Sequence, residues 1–99
     1  MSTSLAETKK RSAASLGGPG APDARLCSEA AIALLTAAAG EGLRMTSLAL
    51  DVASHTISGE VEVAVKVDKR TRSIVFVSAE ARAGERLVFS AQGLFSRQG

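Results

Sequence analysis

The chain has 99 residues, enough for one domain, and its three aromatic side chains, Phe76, Phe89 and Phe95, leave a core to be built from Val, Leu, Ile and Ala. A formal net charge of +2, with Lys and Arg scattered and no aromatics among them, gives no footprint for nucleic acid or an anionic membrane. One cysteine excludes an internal disulfide and fits a reducing, cytoplasmic compartment, and no apolar run reaches the ~18–20 residues that span a bilayer.

Residues 1–22 are rich in Ser, Ala, Gly and basic side chains and end in "GGPGAP", a density of Gly and Pro that stops helix and strand alike. Ser4 and Glu7 have capping-box spacing, which predicts a short helix over 5–15 ending at Gly17. Lys9, Lys10 and Arg11 read either as an anchor or targeting signal or, more plainly, as part of a flexible, solvated N-terminal tail over 1–22 that the rest of the chain folds without. The domain is expected over 23–99.

Asp23 is placed to cap a helix that runs to about Ala39 and stops at Gly40. At 100° per residue Arg25, Glu29 and Thr36 share a narrow polar sector, and Cys27, Ala31, Leu34 and Ala38 lie opposite. Ile32, Ala33 and Leu35 widen the apolar arc, so the helix is expected to be buried on most sides.

Alternating segments follow. In "RMTSLALDVA", Leu48, Leu50 and Val52 share a face. "GEVEVAVKV" sets Val61, Val63, Val65 and Val67 against Glu60, Glu62 and Lys66, the period of two that a half-buried strand requires. "DKRT" is read as its turn. In "SIVFVSAEA" both faces are apolar at first, as for a central strand or one covered by another subunit. The last strand sets Leu87, Phe89, Ala91 and Phe95 on one side, with Gly93 marking a bulge or the helix's closest approach. Short turns between consecutive strands predict antiparallel neighbours, hence an α+β fold: a central α-helix wrapped by an antiparallel β-meander of about four strands. A core this small favours association.

In this order the segments "SEAAIALLTAAAGEG", "MTSLALDV", "GEVEVAVKV" and "TRSIVFVSAEARAGERLVFSAQGLF" resemble the hotdog-fold thioesterase superfamily, in particular small acyl-CoA thioesterases related to the phenylacetate-degradation enzyme. Gly59-Glu60, Arg72-Ser73, Gly84-Glu85 and Phe95 carry the likeness, which runs from about Ser28 to Arg97. It is a resemblance shortened on the N-terminal side. The chain is expected to lack both the strand that precedes the helix in the family and its His-Gly-Gly entrance, since "GGPGAPDARL" stands there.

The resemblance implies hydrolysis of an acyl-CoA thioester with no cofactor, the coenzyme A moiety being part of the substrate, and assembly as a homodimer or homotetramer. The family's catalytic Asp aligns best with Glu29. Thioester hydrolysis needs a carboxylate as base or nucleophile, and a helix N-terminus keeps a carboxylate ionised. The plainer reading makes Arg25 and Glu29 an i,i+4 surface pair. Arg70 and Arg72, with Lys69, stand where family members can meet the phosphates of coenzyme A, or else form a solvated basic turn. His55 has no partner for a triad and reads as a solvated turn residue. Cys27 reads as a buried structural thiol, and no residues have metal-ligand spacing. The alternative to an enzyme is a non-catalytic hotdog module that binds an acyl ligand or acts as an interaction subunit.

Overall fold

The computed structural model describes residues 7–97. Strand β1 (Glu7–Ser12) and a 3-10 turn (Ala13–Leu16) precede helix α1 (Ala24–Ala39). Strands β2 (Leu43–Val52), β3 (Glu60–Arg70), β4 (Ile74–Ala83) and β5 (Arg86–Arg97) follow. All pair antiparallel in one five-stranded sheet of order β1-β3-β4-β5-β2, and α1 lies across one face.

The valine ladder of β3 faces the helix, with Val61, Val63 and Val65 buried. Val75, Val77, Ala79 and Ala81 of β4 and Phe89, Ala91 and Phe95 of β5 continue that face. Cys27, Ala30, Ala31, Leu35 and Ala39 of α1 close over them. The small helix residues allow the close approach: a Cβ at Gly93 would lie 3.2 Å from Leu35 Cδ1. Asp23 caps the helix and Gly40 ends it, as the sequence predicts.

Several expectations change. The N-terminal segment is not a tail over residues 7–22. Glu7–Ser12 pairs with Glu60–Val65 of β3, and Ala13 and Leu16 are buried in the core. The helix expected over 5–15 gives way because the edge of β3 needs a partner, and tertiary pairing overrides local propensity. Ser4 lies outside the described residues. Gly17 lets the chain turn toward α1: its φ is 106°, and a Cβ there would stand 2.8 Å from Asp23 Cβ.

The sheet therefore has five strands rather than about four, and the strand before the helix is present. The meander holds for β3, β4 and β5, whereas β2 pairs with β5 at the far edge. Residues 53–59 carry the chain back across the end of the sheet. That crossing spans three strand spacings, about 14 Å, within reach of such a connection.

Bulges explain the remaining differences of detail. Between Val67 and Lys69 the register slips, so β3 continues to Arg70 and the turn falls at Thr71–Ser73 instead of "DKRT". Ala81 pairs with Phe89 and Arg82 with Leu87, leaving Val88 as the extra residue. Val88 is thus fully buried beside Phe89, and Leu87 joins the outer face. The helix is also less buried than its composition suggests, with Ile32 42% exposed.

Candidate functional site

Asp23 fixes the head of α1 by accepting hydrogen bonds at Oδ1 from the amides of Arg25 (2.8 Å) and Leu26 (3.1 Å). One turn further, Glu29 leaves the helix on the side away from the sheet. Its side chain is 61% exposed, and its Oε2 accepts a hydrogen bond from Arg25 Nη1 at 3.4 Å. An i,i+4 pair so open to water is worth roughly 0.3–0.5 kcal/mol, so the carboxylate is free to turn to a ligand.

The loop before the helix commits most of its amides internally. Gly17 N–H donates to Ala14 O, Gly18 N–H to Ala13 O, and Asp23 N–H to Leu16 O. Pro19 and Pro22 have no amide hydrogen to give. Among the described residues of this loop and the first helical position, Gly20, Ala21 and Ala24 retain amides without a partner.

Arg70 stands at the other end of the helix, and Arg72 follows it in sequence, beyond the end of β3. Arg70 Nη1 donates to Ala39 O at 3.0 Å, closing the last turn of α1. Arg72 sits in the β3–β4 turn, where its carbonyl accepts from Arg97 Nε at 2.9 Å. Glu29 and Ala39 are separated along the helix axis by about 15 Å. Arg70 is thus held at the far end of the helix from Glu29.

Among the described residues, Glu29 lines neither of two concavities. One, of about 670 Å³, lies on the outer sheet face over Ala49, Ala64, Lys66, Ser78 and Gln92. It is on the opposite side of the sheet from α1, and we give it no part in chemistry at Glu29. The other, of about 300 Å³, lies between β1 and the second half of α1, with Leu34, Ala38 and Val67 under Glu7 and Lys9.

His55 is half-buried rather than a solvated turn residue. Its Nε2 lies 2.8 Å from Leu87 O and its Nδ1 3.3 Å from Thr56 O, so the ring ties the β2–β3 connection to β5. No sequence signal joins residues that far apart. Cys27 is fully buried, and burial, reinforced by the Asp23 carboxylate, pushes its thiol above the ordinary value. Among the described residues no three His, Cys, Asp or Glu side chains cluster as for a metal. No described helix is long and apolar enough to cross a membrane.

The sequence matches no protein-family model and no curated protein. Solved structures do match. The PaaI protein of the Escherichia coli phenylacetic acid degradation operon superposes with a TM-score of 0.70 at 15% identity, over 93% of this chain and 70% of that one. AziG of S. sahachiroi gives 0.78 at 19% identity, over 94% and 83%. A hypothetical thioesterase of Streptococcus pneumoniae, solved with coenzyme A, gives 0.69 at 11% identity, over 93% and 76%. Such identities carry the architecture: one helix wrapped by an antiparallel sheet, the hotdog fold.

Proposed function

We propose that the protein is a thioesterase-like hotdog protein that hydrolyses an acyl-CoA thioester, with Glu29 as general base or nucleophile. The observation that carries this reading is an ionisable carboxylate on the open face of the central helix, in a fold shared with thioesterases. As base, Glu29 takes a proton from water as its oxygen attacks the thioester carbon. The carbonyl oxygen becomes an oxyanion, and its collapse expels the coenzyme A thiolate, which recovers the proton. Arg72, and the donors of Arg70 not given to Ala39, are the proposed phosphate contacts. A cytoplasmic setting and self-association as a homodimer or homotetramer belong to the same reading.

The test is thiol release from a panel of short, long and aromatic acyl-CoAs. Glu29→Gln should lower turnover by on the order of 10² or more while leaving binding nearly intact. Arg72→Ala should weaken binding more than turnover. If the mutant Glu29→Gln matches the unmutated protein, Glu29 has no catalytic role. If no acyl-CoA turns over, the second reading holds: a non-catalytic module that binds an acyl ligand or another subunit. The Arg25–Glu29 pair, and the absence of Glu29 from both concavities, favour that reading.

A further inference from the structure

We propose that the groove between β1 and the second half of α1 binds a medium-length carboxylic acid, its alkyl chain along the apolar floor and its carboxylate on Arg11. The site goes beyond the reading above and does not depend on it.

β1 lends the groove one of its two faces. Directly opposed residues of an antiparallel pair share a face, and Glu7, Lys9 and Arg11 oppose Val65, Val63 and Val61, the valines turned to the helix. Every residue of β1 is exposed except Arg11, which is half-buried. The floor of the groove is Leu34, Ala38, Val65 and Val67, and Glu7 and Lys9 form its rim. Leu34, Ala38 and Val67 pack on the core but are only partly buried, so apolar surface is left open between strand and helix.

The charge on this face is unevenly answered. Lys9 pairs with Glu7 at 3.8 Å, a contact between exposed side chains that costs little to give up. Arg11 has no carboxylate within ion-pair distance among the described residues. Its Nε is the one buried side-chain nitrogen or oxygen among them that has no hydrogen-bond partner. A buried donor on a charged group is costly to leave unpaired, and such an orphan calls for a missing acceptor. A carboxylate fits it, because the edge of a guanidinium offers two parallel donors to two oxygens.

Size and length narrow the rest of the ligand. The groove holds about 300 Å³, at the lower bound for ligand clefts, which suits one unbranched chain better than a fused-ring system. From Arg11 to Glu7 the strand runs four residues, about 13 Å, so the free donor and the apolar floor are offset along one line. A head at Arg11 and a tail toward Val67 follow that line past the stem of Lys9. At 100° per residue Glu29 lies about 140° round the helix from Leu34 and about 180° from Ala38, so the groove is separate from chemistry at Glu29.

Calorimetric titration of the full chain with hexanoate, octanoate, decanoate and dodecanoate, each below its micelle-forming concentration, is the test. One decanoate should bind per chain, with affinity rising by up to about fourfold per methylene along the series until the groove is full. Decanol should bind at least tenfold more weakly than decanoate. Arg11→Met should weaken decanoate binding about tenfold or more. Because it removes an unpaired buried donor, it should also leave the thermal midpoint of the free protein unchanged or higher, which a purely structural arginine would not allow. Ala38→Phe, which fills the floor, should lose decanoate and dodecanoate while keeping hexanoate. Glu29→Gln should bind decanoate as the unmutated chain does. The proposal is overturned if no acid binds, if decanol binds as tightly as decanoate, if decyl phosphate is preferred to decanoate tenfold, or if Arg11→Met binds decanoate undiminished. Should Arg11→Met fold poorly, Ala38→Phe decides: unchanged affinity for the long acids in that variant would overturn the proposal by itself.

Discussion

Cys27 shows how one buried group constrains the chain. Its thiol is neutral because burial, aided by the Asp23 carboxylate, disfavours the thiolate. A thiol reagent added at neutral pH should therefore react only at the rate of unfolding, and fast reaction in the folded state would contradict the burial. The sign of the pH effect follows. The folded thiol keeps its proton where the unfolded thiol has lost it, so stability is full below the unfolded thiol's pKa and falls as pH rises beyond it. Cys27→Ala should flatten that alkaline slope in a chemical-denaturation series, at a cost of about 1 kcal/mol for the lost volume. Glu29 and Cys27 were both legible in the sequence, because helical spacing alone separates a solvated stripe from a buried one. The tie from His55 to Leu87 was not, since a hydrogen bond to a distant backbone carbonyl has no local signature.

At the scale of elements, β3 declared itself because it has one buried face whose period of two is written in its valines, while α1 and β4 declared themselves by apolar content. β1 did not. It is an edge strand with its side chains largely in water, held by backbone pairing to β3 and by the buried Ala13 and Leu16 that follow it. Neither contribution has a period. Deleting residues 1–22 should therefore cost more than ~2 kcal/mol of stability in thermal or denaturant unfolding. An unchanged midpoint would mean that β1 contributes no net stability. The end of β3 was misplaced for a related reason: a bulge adds a residue without changing composition, so "DKRT" reads as a turn while the strand runs on through it.

The whole molecule is a sheet with one short, basic edge and one long, mostly apolar edge, and the Glu29 carboxylate stands on the helix face away from that sheet. The hotdog fold was legible because helix, valine ladder and hairpins come in a fixed order. The far-edge place of β2 was not, since nothing in a strand's own residues names its partner. The element order also has a consequence in time. In the first half of the chain, β1 and β2 have no partner strand except in the second half: β1 needs β3 and β2 needs β5. During synthesis that half leaves the ribosome with nothing to pair against, and it must stay open until the hairpins of β3, β4 and β5 emerge as a template. A peptide covering residues 1–53 should accordingly show a disordered circular dichroism spectrum and gain structure when a peptide covering 54–99 is added. An independently folded first peptide would refute this order of assembly.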